Sequence, residues 1–193
     1  GLKDSVAIIS GAAGGMGTAS VLRLAKEGCK IFAVDMSQNA LDRMIDTVSA
    51  EGITNVYPYV CDATNEDEVN AAVAKCIELF GKVSILVNIA GIYTDCLFKD
   101  MTFDEWSHTM DININSVMFF CRAAITNMLE NKHGKIINMA SQAGVVGSIK
   151  HTHYSASKAA IIGMSRSLAR EVAEDGINVN CIAPGIIKTP MTA

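Results

Sequence analysis

Six short apolar runs alternate with segments of helical pattern along almost the whole chain. Each run is too short for a helix and is bounded by turn residues, which is typical of strands buried on both faces. The runs cover residues 6–9, 30–34, 56–61, 83–87, 135–139 and 178–182. Parallel strands that are joined through helices form right-handed crossovers in a layered sheet. The alternation therefore predicts an α/β fold, a doubly wound parallel sheet in a single domain over residues 1–193.

Composition narrows the class of protein. Half of the 193 residues are hydrophobic and the mean hydropathy is +0.27. No run reaches the roughly 18 apolar residues of a membrane helix, and the first residues lack the apolar core of a signal peptide. The net charge is −4 and there is no basic block. We therefore expect neither a membrane nor a nucleic acid as partner.

The number and spacing of the cysteines indicate the redox state of the compartment in which the protein folds. The chain has six, and none forms a C-x-x-C pair. Several fall inside predicted strands or helices, where a free cysteine behaves as a small buried hydrophobe. This pattern predicts a reducing cytoplasmic environment rather than a disulfide scaffold or a zinc site.

A glycine-rich turn separates the first strand from a helix predicted over residues 18–27. Its glycines, Gly11, Gly15 and Gly17, have the spacing G-x-x-x-G-x-G. Backbone N–H groups in such a turn, together with the helix N-terminus, can approach a phosphate closely. No Gly-Lys-Ser/Thr follows, so a nucleoside-triphosphate loop is excluded. A bare glycine turn is often only a turn, but this setting favours phosphate binding and a Rossmann-like sheet.

An acidic residue, Asp35, ends the second strand about 20 residues beyond the glycine turn. Its carboxylate can accept hydrogen bonds from an adenosine ribose and would repel a 2′-phosphate. Residues 12–14, Met36 and Ser37 supply no basic side chain to hold that phosphate. The sequence therefore predicts NAD(H) as cofactor. The alternative is an aspartate that only caps the turn.

Tyr154 and Lys158 are four residues apart at the start of a long helical pattern, so they share one helix face. A free tyrosine has a pKa of about 10, and a neighbouring ammonium favours the phenolate and lowers that pKa. Such a tyrosine can exchange protons near neutrality. Ser141 ends a strand-like run upstream. Taken alone, the pair most often marks an ordinary helix surface.

Polar and glycine residues follow the end of each predicted strand. In open α/β sheets, ligands bind outside the carboxyl ends of the strands. These residues are Gly11 to Gly17, Asp35, Asp62, Asn88, Ser141 and Pro184. One rim of the sheet should gather them. Asn113 and Asn115 lie on an apolar segment of a helix predicted over residues 103–131, either as satisfied buried amides or at a kink that faces the site.

With these positions assembled, the chain resembles a short-chain dehydrogenase/reductase over nearly its whole length. Residues 10–17 stand where the family has Thr-Gly-x-x-x-Gly-x-Gly, and residues 88–91, Asn-Ile-Ala-Gly, where it has Asn-Asn-Ala-Gly. Asn113 lies at the position of the family's catalytic asparagine. Ser141, Tyr154 and Lys158 match the rest of the catalytic tetrad. Pro184-Gly185 and Thr189 match the segment that contacts the nicotinamide.

The resemblance implies a role for each residue of the tetrad. Tyr154 would exchange a proton with the substrate oxygen, and Ser141 would hydrogen-bond that oxygen. Lys158 would lower the pKa of Tyr154 and bind the nicotinamide ribose, while Asn113 would anchor a water in a proton relay. The residues implied for NAD binding are Gly11, Gly15, Met16, Gly17, Asp35, Asp62, Ala63, Asn88, Ala90, Gly91, Tyr154, Lys158, Pro184, Gly185, Ile187 and Thr189.

The sequence departs from the family pattern in two places. Ile89 replaces an asparagine that braces the central strands, and we expect a local rearrangement there. Family members also continue for several tens of residues, with small helices over the substrate and a seventh strand, so the C-terminal part is expected to be truncated. The resemblance implies a homotetramer that packs through helices near 103–131 and 153–175.

Three other functions fit these residues less well than an oxidoreductase acting on a secondary alcohol or ketone. A dinucleotide-binding sensor or a methyltransferase would not need the tyrosine and lysine, and a Ser–His hydrolase lacks the G-x-S-x-G turn. His151 and His153 have no cysteine or carboxylate at ligand spacing, so no metal site is predicted. Residues that line the substrate mouth are a better interpretation, and ordinary loop histidines are favoured. The substrate stays open among acyl-carrier-protein-linked ketones, steroids, sugars and small diketones, as does the direction of the reaction.

Overall fold

The computed structural model describes residues 2–189 and contains one six-stranded sheet in which all strand pairs are parallel. The strand order is β3-β2-β1-β4-β5-β6. The strands are β1 Val6–Ser10, β2 Lys30–Asp35, β3 Val56–Val60, β4 Ile85–Asn88, β5 Gly134–Met139 and β6 Ile177–Ile182. The predicted doubly wound, Rossmann-like α/β fold is confirmed.

Helices connect the strands and cover both faces of the sheet. They are α1 Gly15–Lys26, α2 Gln38–Ala50, α3 Glu66–Phe80, α4 Phe103–Met110, α5 Ser116–Glu130, α6 Ala143–Val146 and α7 Thr152–Glu171. A π-helical segment, Asp111–Asn115, joins α4 to α5, and a 3₁₀ turn, Ala173–Asp175, follows α7. Within residues 2–189, no helix is both long and apolar enough to cross a membrane.

The chain leaves β1 in one direction through β2 and β3, then returns to β4 on the other side. The order therefore reverses between β1 and β4, and a crevice opens there beyond the carboxyl ends of the strands. Pro58 lies in β3, which is an edge strand. A proline donates no ladder hydrogen bond, so it is tolerated only at such an edge.

The sheet separates two apolar cores. Ile8 and Phe32 belong to the core beneath α3, α5 and α7, whereas Ile9 and Ile31 belong to the core beneath α1 and α2. Successive strand residues point to opposite faces, so a strand covered on both faces must be apolar throughout. All five residues of β1 are buried accordingly.

A line of buried amides crosses the middle of the sheet. Asn88 Nδ2 donates to Asn138 Oδ1 at 2.8 Å, and Asn138 Nδ2 donates to Ser165 Oγ at 2.8 Å. These hydrogen bonds tie β4, β5 and α7 together inside a core where an unpaired amide would be costly. Ile89, at the position of the missing asparagine, is 7% exposed and packs into the apolar core under α1 and α2.

Candidate active site

The glycine turn is shaped by close backbone approaches. Gly11 has φ +67°, and a Cβ there would lie 2.7 Å from Ala90 N. A Cβ on Gly17 would overlap the carbonyl oxygen of Gly11. Only glycine fits at either position. The first turn of α1 carries no acidic residue and no side-chain cap, so its N-terminus is available to an anion.

Asp35 joins the end of β2 to the glycine turn. Its Oδ2 accepts from Ala13 N at 3.1 Å and its Oδ1 accepts from Ser37 N at 3.2 Å. These bonds hold the carboxylate at the wall of a cavity of about 560 Å³, which the glycine turn, Asp62 and Ala63 also line. Arg43 of α2 reaches the same wall, a contact that no local sequence pattern indicated.

A second cavity of about 490 Å³ lies beside the first. Both cavities are lined by Met16, Ile89, Gly91, Ile92 and Thr189. The second cavity also contains Ser141, Tyr154 and Lys158, with Pro184, Gly185 and Ile187 on its far side. One crevice therefore runs from Asp35 to Tyr154. Of the rim predicted from the strand ends, the glycine turn, Asp35, Asp62, Ser141 and Pro184 line this crevice, and Asn88 does not.

Two predicted site residues line neither cavity. Asn88 is 1% exposed and its amide is used in the buried line across the sheet. Asn113 lies behind the wall: its Oδ1 accepts from Ile92 N at 2.8 Å and its Nδ2 donates to Ile92 O at 3.1 Å. Nδ2 also donates to Ser157 Oγ at 3.1 Å. Asn113 thus fixes the cavity segment at Ile92 to α7.

The predicted distortion near Asn113 is the π-helical segment, which interrupts what the sequence suggested as one helix over 103–131. Single π turns inside α-helices are frequent at functional sites. Asn115, the other candidate, donates from its Nδ2 to Asp111 Oδ1 at 2.7 Å on the outer surface. Only the first of the two asparagines supports the crevice.

The electrostatics of Tyr154 differ from the prediction. Burial raises the pKa of its phenol above 10.0, while a hydrogen bond with Ser141 lowers the pKa and the neighbouring Tyr93 raises it. The net shift is upward, opposite to the direction that the spacing of Tyr154 and Lys158 predicted. The Lys158 ammonium lies 5.7 Å from the centroid of the Tyr154 ring.

Lys158 is itself buried, at 4% exposure. Its Nζ donates to the carbonyl oxygen of Met139, at the end of β5, at 2.8 Å. Burial lowers its pKa from 10.5 to about 8, because removing an ammonium from water disfavours the charged form. Near pH 7 the group still carries its charge at the floor of the crevice.

His151, for which the sequence left a place at the substrate mouth open, contacts Ser148 and Tyr93, which line the second cavity. The sequence did not reveal these partners. His151 Nε2 lies 2.7 Å from Asp95 Oδ1, and its Nδ1 lies 3.0 Å from Ser148 Oγ and 3.3 Å from the Tyr93 hydroxyl. His151 is 6% exposed, so it is not an ordinary loop histidine. Its partners are up to 58 residues away in the chain, beyond the reach of any local pattern.

The neighbouring His153 is also buried, and its Nε2 lies 3.0 Å from Thr94 Oγ1. Burial is the main reason that its pKa is lowered from 6.5. Both histidines have partners other than a metal. Among the residues that the structure describes, no group of three or more ligating side chains is placed to hold a metal ion.

Comparison with known proteins gives consistent matches. The family model described as "short chain dehydrogenase" matches residues 5–193. The 3-oxoacyl-acyl-carrier-protein reductase of Thermotoga maritima is 38% identical over 99% of this chain and 77% of its own. The acetoacetyl-CoA reductase of an Acinetobacter species is 37% identical over 98% and 77%. The crystal structure of an NAD⁺-bound xylitol dehydrogenase is 34% identical with a TM-score of 0.90, covering 95% of this chain and 71% of that one.

Proposed function

The chain belongs to the short-chain dehydrogenase family, and we propose that it transfers hydride between NAD(H) and a secondary alcohol or ketone, with Tyr154 as acid and base. As a family member it is an oxidoreductase of CH–OH or keto groups that binds a nicotinamide dinucleotide. One observation carries the proposal: the crevice has a glycine turn and Asp35 at one end, and Ser141, Tyr154 and Lys158 at the other.

The residues present fit a dinucleotide. The pyrophosphate would lie at the glycine turn, where any Cβ on Gly17 would block the close backbone packing. Asp35 would accept hydrogen bonds from the adenosine ribose, and its negative charge would oppose a 2′-phosphate. Arg43 on the same wall is the one permanently positive side chain among the lining residues described.

Tyr154 and Ser141 would have different roles in the transfer of hydride and proton. When bound, the nicotinamide donates the hydride in reduction and accepts it in oxidation. A phenol with an ordinary pKa of about 10 carries its proton at neutral pH, and burial raises the pKa of Tyr154 further, so Tyr154 can donate that proton to the oxygen of a ketone. Ser141 would hydrogen-bond the same oxygen. In the reverse direction, Tyr154 would accept the alcohol proton, which requires the phenolate.

Lys158 is held where it can support both ligands. Its Nζ donates one proton to the Met139 carbonyl, and the other two ammonium protons could reach the ribose hydroxyls of the nicotinamide nucleotide. Its positive charge favours the phenolate of Tyr154 during alcohol oxidation. Burial opposes that charge, and a bound hydroxyl would partly compensate.

The cofactor proposal is tested by titrating the chain with NADH and with NADPH. We expect tighter binding of NADH, and an Asp35→Ala variant should lose about 10-fold in NADH affinity, the value of one or two charge-assisted hydrogen bonds. Asp46→Ala is the matched control, since Asp46 is an exposed aspartate of α2 outside both cavities. Tighter NADPH binding that Asp35→Ala leaves unchanged would reject the assignment.

A second candidate within the same chemistry is the reduction of a 3-oxoacyl thioester. It is supported by the two relatives named for 3-oxoacyl-acyl-carrier-protein and acetoacetyl-CoA reduction. Acetoacetyl-CoA and a simple ketone, assayed side by side with NADH, separate the two. A chain that binds NADH but turns over neither ketone would instead favour a nucleotide-binding sensor.

We further propose that the enzyme is a cytoplasmic homotetramer. Free thiols at all six cysteines support a reducing compartment, and the family resemblance supports assembly through α5 and α7. Light scattering coupled to size exclusion tests the assembly. A single mass of 20.5 kDa would reject it.

A further inference from the structure

The segment that runs from the end of β5 into α6 contacts α7 at three places near Tyr154. The carbonyl oxygen of Met139 accepts from Lys158 Nζ at 2.8 Å. Ser141 has a hydrogen bond with Tyr154. The third contact is made by Gly144 of α6, which packs directly on the backbone of α7. The first two contacts involve polar side chains, whereas the third is purely steric.

The contact between Gly144 and α7 leaves no room for a side chain. A Cβ on Gly144 would lie 2.7 Å from Lys158 C and 2.8 Å from Ala159 N. Both are backbone atoms inside α7, so no side-chain rotation could relieve the overlap and one of the two helices would have to move. Gly163, also in α7, differs because a Cβ there would meet open space. The missing side chain of Gly144 therefore sets the distance between α6 and α7.

Ser141 belongs to the same turn as Gly144. The Gly144 N–H donates to Ser141 O at 3.0 Å, and Ala143 N donates to Ser141 Oγ at 3.2 Å. A hydroxyl has one proton and two lone pairs, so an Oγ that accepts from Ala143 keeps its proton for Tyr154 or for a substrate oxygen. A displacement of α6 would therefore move a hydroxyl that is already oriented for donation.

Backbone bonds to the end of β6 fix the chain on both sides of Ser141. Ala140 N donates to Ile182 O at 2.8 Å, and Gln142 N donates to Pro184 O at 2.9 Å. These two bonds extend the pairing of β5 with β6 beyond the last residues of the strands. The segment cannot slide as a whole while they persist. A displacement of α6 away from α7 would consequently be taken up in the turn that carries Ser141.

We propose that Gly144 is a positioning residue, whose packing on α7 keeps the Ser141 hydroxyl beside the Tyr154 phenol so that both reach one substrate oxygen. Gly144 lines neither cavity of the crevice, so it acts through Ser141 and not by contact with the substrate. The proposal rests on the oxidoreductase function proposed above and adds a residue to the machinery of that reaction.

The first test is Gly144→Ala, assayed with NADH and either acetoacetyl-CoA or cyclohexanone. A misplacement of about 1 Å at a reacting centre can cost about 100-fold in rate, and we expect kcat to fall by about 10- to 100-fold. NADH affinity, measured by titration, should match that of the wild type, because the glycine turn and Asp35 lie at the other end of the crevice. Gly163→Ala is the matched control, since it adds the same methyl group to α7 without a contact.

A double-mutant cycle separates positioning from a general loss of packing. Ser141→Ala removes the hydroxyl, and loss of one such donor to the reacting oxygen costs about 100-fold or more in kcat. Once the hydroxyl is absent, its placement no longer matters. Gly144→Ala should therefore lower the kcat of Ser141→Ala by no more than about 2-fold. A packing defect that does not act through Ser141 would lower kcat by the same factor in both backgrounds.

The outcomes distinguish this role from the function on which it rests. An unchanged kcat in Gly144→Ala, or equal factors in the two backgrounds, would overturn the positioning role and leave the oxidoreductase intact. Loss of NADH binding or of the helical circular dichroism in Gly144→Ala would also overturn it, because the contact would then support the whole domain. A wild-type chain that binds NADH but reduces neither ketone would overturn both proposals.

Discussion

The two ends of the crevice are held together in different ways. At the end with Asp35, the shape comes from backbone: a glycine turn, the N-terminus of α1 and a carboxylate bonded to Ala13 only 22 residues away. At the end with Tyr154, side chains from distant segments meet, as when Asp95 and His151 join across 56 residues. A site built from backbone tolerates few changes, whereas a site built from loop side chains can vary with the substrate.

The largest expected effect comes from a substitution at the Tyr154 end of the crevice, which should leave the nucleotide end unchanged. Tyr154→Phe removes the acid and base, and general acid–base catalysis contributes about 10²- to 10⁴-fold. We expect kcat to fall by about 10³-fold while NADH affinity changes little, measured by initial rates and by titration. Tyr57→Phe, on the edge strand β3, is the control. If Tyr154→Phe kept more than a tenth of the activity, another group would be the acid.

The next largest effect is expected from a substitution in the glycine turn, which should weaken nucleotide binding. The Cβ of Gly17→Ala would overlap the Gly11 carbonyl, and overpacking of this kind costs about 1–3 kcal/mol. We expect a lower free energy of unfolding and at least 10-fold weaker NADH binding, consistent with such a displacement of the turn. Gly163→Ala is the matched control, because its Cβ would meet open space. Unchanged NADH binding in Gly17→Ala would show that the turn does not hold the nucleotide.

Lys158 lies between the two ends and gives a pH-dependent effect. Burial lowers its pKa from 10.5 to about 8, so between these pH values the unfolded chain binds more protons than the folded chain. Its contribution to the free energy of unfolding therefore increases as the pH rises from about 8 towards 10.5, on the order of 1–3 kcal/mol in total. Below about pH 8 both states are protonated and the contribution is constant.

The measurement compares urea unfolding of the wild type and Lys158→Met at about pH 7.5 and about pH 10. The difference in free energy of unfolding, wild type minus variant, should shift in favour of the wild type at the higher pH. The thiols, whose pKa values burial raises, are common to both proteins and cancel. A difference that does not change with pH would mean that Lys158 is not desolvated.

The smallest expected effect comes from Asp95→Asn, which tests whether the two ends of the crevice act independently. Asp95 is 63% exposed and contacts Lys150 as well as His151, so Asp95→Asn should raise the KM for a ketone substrate by only about 2- to 3-fold. NADH affinity should stay the same. Titration and initial rates on one preparation decide both points. A parallel loss of NADH binding would show that the two ends are coupled.

The sequence predicted the nucleotide end well because its signals are local. Alternating apolar runs, a glycine turn and an acidic strand end each lie within a few residues, and the structure places Gly11, Gly17 and Asp35 at one cavity. The spacing of Tyr154 and Lys158 was likewise readable, since a helix brings residues four apart together. The roles of these residues stay predictions that the experiments above address.

Features that depend on burial or distant contacts were missed or misjudged. The pKa of Tyr154 is raised mainly by burial, which cannot be read from the spacing of Tyr154 and Lys158. Asn88 was expected at the cofactor, yet its amide faces Asn138, 50 residues away, in the core. The short helix α6 and the bridge between Cys96 and His151 were not foreseen, because neither has a periodic pattern.

The parallel bridge between Cys96 and His151 joins two segments, residues 92–99 after β4 and residues 147–151 before α7. Because Asp95 of the first segment contacts His151 of the second, the two segments can be exchanged between family members only as a pair. Moving residues 92–99 alone would place Asp95 in a chain that lacks His151. Moving both segments together would carry this contact with them, while the glycine turn and the sheet of the recipient continued to serve the nucleotide.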